Sequence, residues 1–384
     1  MKDTPTRERA LARTAEADFF PVLGIDHVEF YVGNAKQAAQ FYTNGFGFLT
    51  RAYGGLETGN RERASYVMEQ GKIRLVLSSA LDPEHPIARQ AHLHGDGVGV
   101  IALAVPDAEA AYREATARGA VGAIEPTTEE DEHGILRYSA IRCYGDTLLK
   151  LVDRSDYEGA FAPGYQERGA PPNTGKGKRH RGVGLAAIDH IVGNVELGEM
   201  NRWVDFFAHA LGFSQLQHFD DQAISTEYSA LMSKVMQDGT GKVKFPINEP
   251  AHGRRKSQIE EYLEYYKGPG VQHIACATGD IIATVEALRA NDIEFLRVPS
   301  TYYQELEGRV GKIDEPVDRL AELGILVDRD DDGYLLQIFT KPVEDRPTVF
   351  FEIIERHGSR GFGVGNFKSL FEAIEREQEL RGNL

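Results

Sequence analysis

The chain repeats itself. Gly24-Ile25-Asp26-His27-Val28-Glu29-Phe30, with a helical stretch after it ending Gly45-Phe46-Gly47-Phe48, returns as Ala187-Ile188-Asp189-His190-Ile191-Val192, with a helical stretch ending Leu211-Gly212-Phe213. Gly97-Val98-Gly99-Val100-Ile101-Ala102, ahead of Asp107 and an Ala-rich helix, has its counterpart in Gly270-Val271-Gln272-His273-Ile274-Ala275, ahead of Asp280 and another helix. Leu149-Lys150-Leu151-Val152-Asp153-Arg154 parallels Phe351-Glu352-Ile353-Ile354-Glu355-Arg356. Three matched landmarks in one order make duplication the main constraint on the fold. Each landmark reads as a β-branched and aromatic strand, and helices of 3.6-residue periodicity follow the first two. Alternating segments such as Ala64 to Gln70 and Lys72 to Leu77 read as hairpin strands between them. The expectation is an α+β protein of four helix-and-strand units, two in each half, whose antiparallel-rich sheets curve around a pocket with helices outside.

The landmarks divide the chain into a tail (1–19), an N-terminal domain (20–154), a linker (155–182) and a C-terminal domain (183–384). The linker carries Ala170-Pro171-Pro172-Asn173 and the basic run Lys176-Gly177-Lys178-Arg179-His180-Arg181, a composition of solvated connections. A formal net charge of −16 counts against a nucleic-acid role and against anionic membrane surfaces. Two distant cysteines, Cys143 and Cys276, offer neither a disulfide framework nor a CxxC site. Met1 to Ala17 mixes Arg with Glu and Asp and lacks an apolar segment, so the expected location is cytoplasmic.

Comparing the halves isolates a chemistry. His190, His273 and Glu352 occupy the three landmarks of the second half; His27, Val100 and Lys150 stand at the matching positions of the first. Two imidazoles and a carboxylate on one face of a metal leave the open positions that a mononuclear iron(II) oxygenase needs. Each residue alone reads equally well as a satisfied core residue, but their coincidence at matched landmarks points to one Fe(2+) site, one per subunit, in the second half. A Glu inside Val349-Phe350-Phe351-Glu352-Ile353-Ile354 would be costly to bury without a partner, and a cation is one such partner. His92, His94, His252 and His357 read as exposed, and His27 as a remnant of the duplication.

Several longer motifs resemble one known family. These are Pro246-Ile247-Asn248-Glu249-Pro250, Lys256-Ser257-Gln258-Ile259, Leu335-Leu336-Gln337-Ile338-Phe339-Thr340-Lys341-Pro342, Asp345-Arg346-Pro347-Thr348-Val349-Phe350-Phe351-Glu352 and Gly361-Phe362-Gly363-Val364-Gly365-Asn366-Phe367. They are similar to the signatures of the 4-hydroxyphenylpyruvate dioxygenases, within the vicinal-oxygen-chelate (glyoxalase/bleomycin-resistance-like) superfamily. The resemblance implies four βαβββ modules in two open-barrel domains, with a C-terminal helix (367–380) over the active site. It implies 4-hydroxyphenylpyruvate and O2 as substrates, homogentisate and CO2 as products, and a homo-oligomer, dimer or tetramer. It further implies a polar group of Ser233, Asn248 and Gln272 near the substrate phenol, pocket amides Gln258 and Gln337, an aromatic wall of Phe339, Phe350 and Phe367, and apolar lining by Val192, Pro246 and Leu326. Adjacent residues on a strand face opposite ways, so Gln272 needs a twist or bulge to join His273. The rivals are 4-hydroxymandelate synthase on the same substrate, a glyoxalase-like isomerase, and a non-catalytic binding protein of the same fold.

Overall fold

The computed structural model describes residues 18–169, 182–219, 230–251, 256–304 and 306–383. All four expected βαβββ modules are present. The first runs β1 (Gly24–Tyr31), a helix (Ala35–Asn44), β2 (Leu49–Gly54), β3 (Arg63–Gln70) and β4 (Ile73–Ala80). The second runs β5 (Gly97–Ala104), a helix (Ala108–Ala117), β6 (Gly122–Asp131), β7 (Gly134–Arg142) and β8 (Leu148–Tyr157), with a short β9 (Gln166–Glu167) after it. The third runs β10 (Leu185–Asn194), a helix (Met200–Leu211), β11 (Ser214–Phe219), β12 (Ala230–Gln237) and β13 (Lys244–Ala251). The fourth runs β14 (Gly270–Thr278), a helix (Ile281–Ala290), an insertion of short helices, β15 (Leu326–Asp330), β16 (Gly333–Phe339) and β17 (Phe350–His357). Asp107 and Asp280, matched in the sequence repeat, both cap the helices they precede, accepting backbone N–H groups through the side chain.

Two curled half-barrel sheets result, in the order β6-β7-β8-β5-β1-β4-β3-β2-β9 and β11-β12-β13-β10-β14-β17-β16-β15. In each sheet the first strands of its two modules pair antiparallel, β1 with β5 and β10 with β14. Of these central strands, β5 and β14 are buried on both faces, which is why they read as nearly unbroken apolar runs.

The outward faces of the two sheets share one core. Phe351 of β17 is fully buried against first-half aromatics, with its ring centroid 4.8 Å from Phe46 and 6.0 Å from Tyr42. The backbones of the halves also meet directly. Lys72 N–H donates to the Ala186 carbonyl (2.6 Å). Gly145, at φ +58°, lies so close to Pro269 that an added Cβ would sit 2.3 Å from that carbonyl oxygen, so only glycine fits.

Beside His357, which is half-buried rather than exposed, three sequence expectations need correction. His94 is buried: its ring stacks on Tyr266 (4.4 Å), its Nδ1 faces the Tyr266 carbonyl, and its Nε2 meets Asp146 at 2.9 Å. Residues 155–169, expected as linker, belong to the first half. There β8 runs on to Tyr157, β9 pairs with β2, and Phe161 and Tyr165 pack inside the sheet with Val67, Val76 and Val152. The rest of that connection, 170–181, lies outside the described residues. The C-terminal helix spans Val364–Arg381, a turn earlier than expected at its start.

Because one core serves both halves, Phe46→Ala should lower stability by about 3–5 kcal/mol, and urea denaturation should remain a single transition. Two separated transitions in the unsubstituted protein would contradict a shared core.

Candidate metal centre

Cross-strand pairing lays out the site. His190 on β10 stands opposite Ala275 on β14, Ala275 is in register with Glu352 on β17, and Glu352 is opposite Phe339 on β16. One row along, Val192 pairs with His273, which is in register with Phe350. Residues opposite each other across a ladder share a face, so His190, His273 and Glu352 all point into the half-barrel. Ala275, the smallest side chain in the row, leaves the space between His190 and Glu352 unfilled. The Nε2 atoms of His190 and His273 lie 3.2 and 3.3 Å from Glu352 Oε2. All three side chains are buried, and their donor atoms lie within 4.8 Å of one another.

Two β-bulges aim the imidazoles. Against β14, the register of β10 slips between Ile188 and His190, leaving Asp189 as the extra residue; it slips again after Val192, leaving Gln272 as the extra residue on β14. A bulge re-aims its residue out of the strict alternation. Asp189 Oδ1 thereby reaches His190 Nδ1 (2.8 Å), and Gln272 Oε1 reaches His273 Nδ1 (3.0 Å). Both partners are acceptors, so each Nδ1 carries a hydrogen and each Nε2 is the ring atom turned toward Glu352. The expected bulge at Gln272 is present.

The electrostatics suit a cation. Burial works to raise the Glu352 pKa, but the His190 charge and hydrogen bonds from both imidazoles outweigh it and hold the carboxyl down at about 2. Burial pushes His273 below the ordinary histidine value, which keeps it a neutral donor. Burial also disfavours charge on His190, yet Glu352 and Asp189 together draw its pKa upward. Among the described residues no lysine or arginine forms an ion pair with Glu352. Two imidazoles and one ionised carboxylate are a donor set that could hold a divalent metal ion.

The remaining expected residues lie on strands of the same sheet, apart from Gln258 and Phe367 on helices. Gln337 and Leu326 pair on neighbouring strands, Ser233 pairs with Asn248, and Pro246 lies two residues before Asn248. All are buried or nearly so. Phe350 stacks on His273 (4.8 Å, 21°), and Phe339 meets that ring edge-on. Gln258 and Gln272 share a narrow cleft with Phe350 and Ile374 of the C-terminal helix. The Phe367 side chain lies outside the described residues.

Three contributors were missed from the sequence. Asp189 and Arg356 were both visible as identities between the halves, matching Asp26 and Arg154, but were given no role. Phe362, whose ring packs edge-on against His190 (5.0 Å), carried no signal apart from its glycine neighbours. His357, expected exposed, is half-buried at the end of β17, between Glu315 (3.0 Å) and Glu355 (3.1 Å) and stacked on Tyr334. His252 lies outside the described residues.

Residues 24–146 and 187–338 match the family described as the Glyoxalase/Bleomycin resistance protein/Dioxygenase superfamily. The chain is 47% identical over 377 residues to a 4-hydroxyphenylpyruvate dioxygenase of Yarrowia lipolytica, covering 94% of this chain and 93% of that protein. It is 49% identical over 367 residues to one of Dictyostelium discoideum, covering 94% and 100%. Among solved structures, a variant of 4-hydroxymandelate synthase from Streptomyces coelicolor superposes with a TM-score of 0.80 at 30% identity, covering 93% of this chain and 99% of that one. With the matched modules, the register of the site and near-full-length identity together, the chain belongs to the 4-hydroxyphenylpyruvate dioxygenase family within that superfamily.

Proposed function

We infer that the protein converts 4-hydroxyphenylpyruvate and O2 to homogentisate and CO2, by oxidative decarboxylation, ring hydroxylation and side-chain migration. One observation carries this reading. A buried His-His-Glu group stands beside Gln272, Phe339 and Phe350, in a chain 47–49% identical to dioxygenases of that name over 94% of its length.

We assign His190, His273 and Glu352 as the ligands of one iron(II) ion per subunit. The donor set supports this, because a carboxylate held ionised between two oriented imidazoles is costly to bury unless a cation joins them. When bound, the iron supplies chelation of the 2-oxo acid and activation of O2. The residues around it do the positioning. Phe350 and Phe339 present flat apolar surface beside His273, where an aromatic ring can stack. Ser233, Asn248 and Gln272 offer hydroxyl and amide groups to the phenol, and Gln258 and Gln337 extend the amide lining. Val192, Pro246 and Leu326 keep the rest of the wall apolar and dry. A pocket of few polar groups in an apolar surround fixes a ligand's orientation while excluding water.

Helix Val364–Arg381 covers this pocket. Arg381 forms a forked pair with Glu261 (3.1 and 2.7 Å), and the helix starts at Gly363, in the left-handed region at φ 73°. An added Cβ there would fall 1.9 Å from Gln337 Oε1, so glycine is needed for the helix to start against the pocket wall.

The two halves are proposed as domains of one polypeptide, with the boundary after residue 169 and the catalytic half beginning near Val183. A homo-oligomer, dimer or tetramer, and a cytoplasmic location complete the reading; no helix among the described residues is long and apolar enough to cross a membrane.

Three outcomes test it. Anaerobic loading with iron(II), then 4-hydroxyphenylpyruvate and O2, should give homogentisate with matching O2 uptake and CO2 release. 4-Hydroxymandelate as product would move the chain to the rival activity, and no O2 uptake would remove the enzyme reading. Glu352→Gln should weaken iron(II) binding, measured by anaerobic titration, by more than the roughly 10–100-fold typical of a group behind the metal. Deleting residues 364–384 should leave O2 uptake partly intact while homogentisate yield per O2 falls; an unchanged yield would show that the helix is not a cover.

A further inference from the structure

One guanidinium reaches both the metal centre and the root of the C-terminal helix. Arg356, near the end of β17, grips Asp189 with a two-pronged pair, Nε to Oδ2 at 2.7 Å and Nη2 to Oδ1 at 2.8 Å. Asp189 is the residue whose Oδ1 orients His190. The remaining arm of Arg356, Nη1, donates to the carbonyls of Gly361 (2.7 Å) and Ser359 (3.3 Å). Those carbonyls belong to the turn from which the C-terminal helix departs. Asp330 braces the turn from the other side, accepting from Ser359 Oγ, Arg360 N and Gly361 N at 2.6, 3.0 and 2.8 Å. Phe362, next in sequence, lies edge-on to His190 and packs with Val235 and Ile259, and Gly363 begins the helix. The path from imidazole to helix therefore runs His190, Asp189, Arg356, Gly361, Phe362, Gly363. A planar fork of fixed geometry cannot tilt toward one set of partners without disturbing the other.

We propose that Arg356 is a positioning residue that couples the orientation of His190 to the seating of helix Val364–Arg381, so that metal binding and closure of the pocket favour each other. This rests on the reading of His190 as a metal ligand.

The first half supplies an internal control. There Arg154 grips Asp26 (2.7 and 3.0 Å), and Asp26 Oδ1 meets His27 Nδ1 at 2.5 Å. Arg154 also donates to the Phe161 carbonyl, and the Phe161 ring lies edge-on to His27 at 5.1 Å. The same joint is thus built twice, but the first copy has Val100 and Lys150 at the other two positions and leads into β9 rather than a covering helix. If the joint only stabilises the fold, replacing either arginine has the same kind of consequence. If it couples the metal to the helix, only Arg356 does.

The experiment uses full-length R356Q, R356K and R154Q, with cobalt(II) as a spectroscopic probe that needs no turnover. Backbone hydrogen exchange across 359–383 is followed with and without the metal. In the unsubstituted protein cobalt should protect these amides, because coupling between two sites is reciprocal. R356Q should bind cobalt about 10–100-fold more weakly, shift its visible absorption, and lose metal-dependent protection. R356K, keeping the charge but not the fork, should recover part of the affinity and little of the protection, and it stands in if R356Q fails to fold. R154Q should melt at lower temperature yet keep cobalt affinity, spectrum and protection. The proposal is overturned if R356Q and R356K keep metal-dependent protection, or if R154Q loses it equally. Should the unsubstituted protein bind no cobalt, or Glu352→Gln bind it unchanged, the metal reading itself fails, an outcome distinct from failure of the coupling.

Discussion

A buried carboxylate organises this molecule. Glu352 sits in a strand buried on both faces, and an ion moved out of water costs several kcal/mol even after the surroundings relax. The cost is offset only where partners arrive from several directions, and here they arrive from two strands, β10 and β14, on one side of β17. Neighbouring strands must hold a register that puts His190, Ala275 and Glu352 in one row. A slip of a single residue would turn the imidazoles to the opposite face and leave the charge alone. The covered outer surface, the small alanine and the paired bulges all follow from that demand.

The two half-barrels answer the question of interior space differently. In the first, Phe161, Tyr165 and Tyr157 fill the interior with Val67, Val76 and Leu136. Lys150, in the place of Glu352, lies over the Tyr138 ring (4.0 Å), while Glu29 is satisfied by Ser78 and Arg63. These polar groups pair within the protein. In the second, the apolar cluster is small, with Val235, Ile259 and Phe362 as its buried members, and the His-His-Glu group stands beside it, Phe362 lying edge-on to His190.

Much of this was legible in the sequence because the duplication is also the cross-strand geometry. The matched triplets His27, Val100, Lys150 and His190, His273, Glu352 are the residues that equivalent register brings together in each sheet. Periodicity revealed the strands, and alternation placed Phe350 with Glu352 and Gln337 with Phe339. Features that arise only from pairing were hidden. The bulge at Asp189 depends on which strand lies opposite, and nothing local distinguishes that aspartate from a solvated one. His94 was misread because its polar, Gly-flanked neighbourhood gives no sign that the other half closes over it. The segment 158–169 looked like linker by composition, since two aromatic side chains suffice to plug an interior and the intervening residues can stay polar.

The shared core behind both sheets gives the silent half a reason to persist. Phe351 and the strand that carries Glu352 are shielded on their outer side by Phe30, Tyr42 and Phe46, side chains of a copy with no His-His-Glu set of its own. That copy packs as a partner subunit would, fused in line, and fusion removes the dilution penalty that separate chains would face. Its outer face therefore works as an interface: a substitution there loosens the packing behind Glu352. One chain thus carries both the candidate metal centre and the surface against which the strand of Glu352 packs.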